Sequence, residues 1–346
     1  MTKRPYRIAA VVALAAALTL SACGSSDDEP SSSGGGLSQI TVGFPTPTSD
    51  TLNYVADSKG FFEKNGVDVS IVVSNGANLP GEVASGRIDL AAHAVGVAMS
   101  LTQQGKPAKV IYALTGGGQG GTLFVNKDTK AVTDLKSGCR MGTFPAGSSA
   151  YGYAQTYIKK LGLDCEITPF QDVPSQVGAL ASGRVDALVG VYLNFISAVE
   201  DDQAKVLIDT RDPSVSEENL GLPYPEVSLF GSDANLKKKA KSLPGYLKAI
   251  DEAARYIKAT PAATVAKDIV DQPNLKGQSL EQITGAVETL EAYRWRGSDE
   301  GRIDDSQWKA ALAGVSSWGL PGYSATDSKF AYGQMVDMSY LDEAKK

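Results

Sequence analysis

The chain has 346 residues, 42% of them hydrophobic, and 33 Lys and Arg against 39 Asp and Glu, a formal net charge of −6. That length and apolar content can bury a large core, more readily as two domains than as one. The acidic balance argues against nucleic-acid binding, which calls for a basic face, and a single histidine, His93, without clustered Cys or acidic partners argues against a metal centre.

Lys3, Arg4 and Arg7 precede an apolar run from Ile8 to Leu20 in which Thr19 is the only polar residue. The run is too short to span a bilayer, which takes roughly 20 residues, and has the length of a signal-peptide core. Leu20-Ser21-Ala22-Cys23-Gly24 resembles a bacterial lipobox. Residues 1–22 are therefore expected to be a lipoprotein signal peptide, with Cys23 lipidated and the mature chain held on the extracytoplasmic face of the cell membrane. Cleavage there removes three basic and no acidic residues, taking the net charge to −9. Residues 23–36 hold Ser, Gly, Asp and Pro with no large apolar side chain, and read as a flexible tether. The fold is expected to begin near Leu37.

Strands are predicted at Ile40–Phe44, Val67–Val73, Ile88–Ala92, Lys109–Leu114 and Thr122–Val125, with helices over Thr51–Glu63, before Ser85-Gly86, and over Val95–Gln104. Asp50 is a good N-cap for the first helix, and Gly66 a good stop. A second series follows: strands at Cys139–Phe144, Cys165–Phe170, Val185–Val189 and Val206–Ile208, with helices over Ser149–Lys160, through Leu180, and near Leu193–Val199. Asp209 to Pro225 reads as a long loop, and Val227–Phe230 as a strand returning to the first half. From Leu236 the periodicity is helical, with helices over Pro261–Val270, Ser279–Tyr293 and Asp305–Trp318. Trp308 and Trp318 are expected to pack this helical layer. Cys139 and Cys165 open neighbouring parallel strands; an exported chain allows a disulfide between them, and two buried thiols are the alternative.

The two series are copies. Gly81-Glu82-Val83-Ala84-Ser85-Gly86-Arg87-Ile88-Asp89 returns as Gly178-Ala179-Leu180-Ala181-Ser182-Gly183-Arg184-Val185-Asp186. Each copy is long enough for a βαβ unit and more. Two such units predict two α/β lobes, each a mostly parallel sheet flanked by helices, facing one another across a cleft. The repeated Ser-Gly is a helix stop and the Asp a turn residue, so the motif reads as architecture despite its arginines.

Gly116-Gly117-Gly118-Gln119-Gly120-Gly121 has the spacing of a dinucleotide fingerprint but is followed by a strand, where that fingerprint needs a helix N-terminus for the pyrophosphate. It reads instead as a turn into an interlobe crossing, and no cofactor is expected. No G-x-S-x-G elbow exists to pair with His93. Ligands of open α/β sheets bind at the carboxyl ends of strands. The loops there offer Thr46, Asp50, Asn75, His93 and Gln119 from the first half, and Ser148, Ser149, Tyr192 and Asn194 from the second. They hold hydroxyls, amides and carboxylates but no Lys or Arg, which favours a neutral or weakly cationic ligand.

The lipobox, the tether, Ala56-Asp57-Ser58-Lys59-Gly60-Phe61-Phe62-Glu63-Lys64-Asn65-Gly66-Val67-Asp68-Val69 and Asp134-Leu135-Lys136-Ser137-Gly138 together resemble solute-binding lipoproteins of ABC importers. The branch is the one that covers sulfonates, taurine, nitrate and thiamine pyrimidine precursors. The resemblance implies a type II periplasmic-binding-protein fold with a helical C-terminal region. It assigns residues 37–124 and 229–346 to lobe one and 125–228 to lobe two. It also implies a monomeric, non-enzymatic receptor delivering a small solute to an ABC permease and its ATPase. Gly190-Val191-Tyr192-Leu193-Asn194-Phe195 and Leu222-Pro223-Tyr224-Pro225-Glu226-Val227 resemble stretches of pyrimidine-precursor binders. Ile196 stands where those carry an acidic residue, and the first loop lacks their Trp. A sulfonate or nitrate receptor, a ligand-sensing subunit and a pyrimidine-synthase-like enzyme are the alternatives, the last lacking the expected cysteine cluster.

Overall fold

Ten strands carry the fold: β1 (Ser38–Phe44), β2 (Val67–Val73), β3 (Leu90–Ala94), β4 (Ala108–Gly116), β5 (Thr122–Val125), β6 (Cys139–Thr143), β7 (Cys165–Pro169), β8 (Ala187–Gly190), β9 (Lys205–Ile208) and β10 (Pro225–Ser232). The structure is a computed structural model and describes residues 37–346 except 75–77, 136, 222–223 and 296–298. The lipidation residue Cys23 and the loop residue Asn75 lie outside the described residues.

The strands form two five-stranded sheets of one pattern, β2-β1-β3-β10-β4 and β7-β6-β8-β5-β9. In each, the first three strands are parallel, and the fourth, antiparallel, is reached from the other half of the chain. β5 leaves the first lobe to enter the second sheet, and β10 returns to the first. Lobe boundaries at 124/125 and 228/229 would therefore cut both strands. Sheet membership puts the crossings earlier, in the Gly117–Gly121 turn and between β9 and β10, because a strand follows its hydrogen-bonded neighbours.

The repeated motif does the same work twice. Asp89 accepts the Thr41 N–H at 2.9 Å and returns its own N–H to the Thr41 carbonyl at 2.9 Å. Asp186 treats Arg140 identically, at 2.8 Å in both directions. Each Asp thus pins the start of its third strand to its first, on the edge away from the strand carboxyl ends.

Alternation sorts the second lobe into two cores. Leu123, Val125, Met141, Ala187 and Val189 face the helix Ser149–Lys160, whereas Phe124 and Leu188 face Leu180 and Phe195. The first core is larger because the C-terminal helices join it. The helix Leu243–Ala259 buries Leu243, Tyr246, Leu247, Ile250, Ala253, Ala254 and Ile257, an apolar stripe at three- and four-residue spacing.

Three local expectations change. The helix predicted over Thr51–Glu63 is divided into Thr51–Ser58 and Phe61–Lys64, because Gly60 takes a left-handed φ of 68°. The loop predicted from Asp209 to Pro225 holds the helix Pro213–Leu220, capped by Asp212 with Pro at its first position. His93 lies within β3 and not past it.

Cys139 and Cys165 are register partners on β6 and β7 with Cα atoms 4.3 Å apart, joined by a disulfide across 26 residues. Chain-entropy arguments give a loop of that length about 3 kcal/mol. A Cys139→Ser/Cys165→Ser variant is expected to lose about that much stability in urea unfolding followed by a lobe-two probe. A loss below about 0.5 kcal/mol would contradict it.

Candidate functional site

The two crossings meet at a buried polar cluster. The Gly118 N–H donates to the Tyr153 hydroxyl at 2.5 Å and to Glu226 Oε2 at 3.0 Å. Tyr153 donates its own proton to Glu226, and Ser149 also bonds that carboxylate. The Tyr224 hydroxyl stands 3.4 Å from that of Tyr153. These groups come from the first crossing, from the helix Ser149–Lys160 of lobe two, and from β10 and its approach. The cluster therefore ties together every strand of chain that passes between the lobes. Glu226 is 3% exposed, and burial pushes its carboxyl above the ordinary range. Thr122 and Thr210 bond at 3.0 Å, and the Tyr157 hydroxyl donates to the Gly121 carbonyl at 2.7 Å, extending the contact.

Packing accounts for the glycine run that imitates a nucleotide loop. A Cβ on Gly118 would overlap Ser216, and one on Gly121 would overlap Leu220. Gly118 also holds a φ of 105°, which L side chains rarely adopt. The run is glycine because the helix Pro213–Leu220 lies against it.

The structure gives the expected ligand residues different duties. Asp50 is buried: its Oδ1 accepts the Leu52 N–H at 3.0 Å and its Oδ2 the Asn53 amide at 2.6 Å. Burial lifts its pKa to about 6. Ser148 is likewise a helix cap, accepting the Tyr151 N–H at 3.2 Å. His93 accepts the Ala94 N–H on Nδ1 at 2.7 Å, which fixes the neutral form, and burial lowers its pKa to about 4. Thr46 closes a turn with Ser49, and Asn194 closes one with Val191. Gln119 is half-buried in the Gly117–Gly121 turn. Only Ser149 joins the central cluster.

Tyr192 belongs to a second feature. A cavity of about 930 Å3 runs between lobe two and the helix Leu280–Tyr293, lined by Tyr192, Leu193, Ile196, Arg211, Thr284 and Glu288 among others. The Arg211 guanidinium sits 3.7 Å over the Tyr192 ring and is paired with Asp209 at 2.9 and 3.0 Å. The flat face expected to meet a ligand is thus covered by a cation, a stacking worth roughly 0.5–1 kcal/mol. The carboxyl-end loops themselves hold no cation, but the fold brings one from the segment after β9. Glu226, Tyr153, Tyr224 and Arg211 were missed by the sequence reading. The signal for two of them lay in the Tyr224-Pro225-Glu226 stretch, and Tyr153 sits at a buried position of its helix.

Two α/β lobes of one topology, joined by two crossings through a buried hinge, define the periplasmic-binding-protein fold. A ligand-binding component of an ABC-type import system from Staphylococcus aureus superposes with a TM-score of 0.69 at 16% identity, over 89% of this chain and 99% of that one. The alkanesulfonate-binding protein of Xanthomonas axonopodis pv. citri, bound to MOPS, gives 0.64 at 17% identity, over 83% and 95%. The NMT1/THI5-like family matches residues 48–264, and the chain belongs to that family. A curated protein of Haemophilus influenzae named for thiamine biosynthesis is 25% identical over 234 residues, 66% of this chain and 71% of that protein.

Proposed function

We propose that this protein is an extracytoplasmic solute receptor of an ABC importer, which captures a small solute between its lobes and releases it unchanged to a permease. The observation that carries the reading is the hinge: two lobes of matching topology, linked by two crossings whose polar groups converge on Glu226. Such a joint lets solute binding select a closed form. Thr46, His93, Gln119, Ser149, Tyr192 and Asn194 stand at the carboxyl ends of the strands and are the proposed ligand contacts. Asp50 and Ser148, engaged as helix caps, position the first two.

The favoured solute is a thiamine pyrimidine precursor or a similar neutral heterocycle. Support comes from the Haemophilus influenzae relative, from carboxyl-end loops without Lys or Arg, and from a site rich in hydroxyl groups. The likeness to an alkanesulfonate-binding protein supports a second reading, in which the solute is a sulfonate or nitrate. Thermal-shift screening against the thiamine aminopyrimidine, alkanesulfonates and nitrate separates them: stabilisation by the anions alone would reject the pyrimidine.

The same proposal places the receptor on the membrane through acyl chains on Cys23. Cys23→Ala is expected to move the protein from the membrane pellet to the soluble fraction, because the lipid anchor goes with the thiol. Unchanged retention after cell fractionation would reject the anchor.

A further inference from the structure

Trp318 does more than pack the C-terminal layer. Trp308, on the same segment, is an ordinary core residue whose indole donates to the Phe330 carbonyl at 2.7 Å. Trp318, also fully buried, reaches past that layer. One edge of its ring lies on Gly96, in the helix Val95–Gln103 of lobe one; the other lies on Gly152, in the helix Ser149–Lys160 of lobe two. A Cβ at either glycine would overlap the ring, so both helices are cut back where the indole enters. The Trp318 carbonyl accepts the Gly147 N–H of lobe two at 2.6 Å. Gly319, at a φ of 69°, then turns the chain away beside Tyr151 and Ala146 of lobe two. The preceding helix Asp305–Val315 belongs to the lobe-one core through Trp308, Ala311, Leu312 and Val315.

We propose that Trp318 is an interlobe latch: the C-terminal segment of lobe one inserts this indole between two glycine seats, one on each lobe, and the lobes separate only when it leaves the Gly152 seat. The two covalent crossings allow rotation; the latch adds a third, breakable tie away from them. It holds the unliganded protein near closure and sets the rate of lobe opening. The inference concerns lobe motion and stands whichever solute is bound, so its failure is separate from failure of the transport reading.

Hydrogen exchange on the full-length protein, without solute, tests it. In Trp318→Ala, amides of residues 147–153 are expected to exchange roughly tenfold faster, while β1–β2 and β6–β7 stay within roughly twofold of wild type. X-ray scattering should show a larger radius of gyration. Trp318→Phe keeps a ring in both seats and covers the case in which the alanine variant does not fold; it should change residues 147–153 in the same direction, by roughly threefold. Uniform acceleration across both sheets would make Trp318 a plain core residue and overturn the latch. So would unchanged exchange at residues 147–153.

Discussion

Glu226→Ala is expected to lower unfolding stability by about 3–5 kcal/mol. The carboxylate accepts from the Gly118 N–H and from the Tyr153 hydroxyl, and Ser149 bonds it too. Removing it strands those donors in a site from which water is excluded, at roughly 1–3 kcal/mol for each buried donor left unmet. Glu226→Gln should cost much less, about 1 kcal/mol, because an amide oxygen still accepts and no buried charge is lost. Urea unfolding of both variants reads this directly. An alanine variant within 1 kcal/mol of wild type would show that the cluster does not hold the hinge. The effect should reach beyond stability, since these bonds join both crossings to lobe two.

Asp50 and His93 should give opposite pH dependences of about 3 kcal/mol each. Asp50 has a folded pKa of about 6, raised from 3.8 by burial. The native state therefore binds its proton more tightly than the unfolded state, and stability from this group is lost as pH rises from about 4 to 6. His93 has a folded pKa of about 4, lowered from 6.5 by burial. Here the unfolded state binds the proton more tightly, and stability is lost as pH falls from about 6.5 to 4. In wild type the two terms largely offset one another. Relative to wild type, Asp50→Asn, which keeps a capping side chain, should gain about 3 kcal/mol between pH 4 and pH 6.5. His93→Gln should gain about as much in the reverse direction. Difference profiles of unfolding free energy against pH check both signs; parallel profiles for the two variants would contradict the assignment.

The fold was legible where local chemistry and tertiary structure agree. The duplicated Ser-Gly-Arg-x-Asp phrase predicts two lobes of one topology, and both sheets show it. Asp50 reads as an N-cap and is one, and β2, β5 and the helix Ser149–Lys160 have the predicted bounds. The helix Pro213–Leu220 was hidden because Asp, Pro and Ser mark both loops and helix starts, and its short span offers little periodicity. The hinge was illegible for a different reason. Glu226, Tyr153 and Gly118 are far apart in sequence, and nothing local says that a carboxylate on β10 will face a glycine in the first crossing. The glycine run was correctly denied a nucleotide, but the reason for its glycines lies in side chains a hundred residues away. The same holds for Arg211, which acquires its role only by stacking on Tyr192.

The central claim is that a small solute is bound between the lobes and not transformed. Calorimetric titration of the full-length protein with the thiamine aminopyrimidine, followed by mass spectrometry of the recovered solute, tests it most directly. The account predicts one site per chain, weakened at least tenfold (about 1.4 kcal/mol) in Ser149→Ala and Tyr192→Ala, with the solute recovered intact. Conversion of the solute, or binding indifferent to both substitutions, would contradict it.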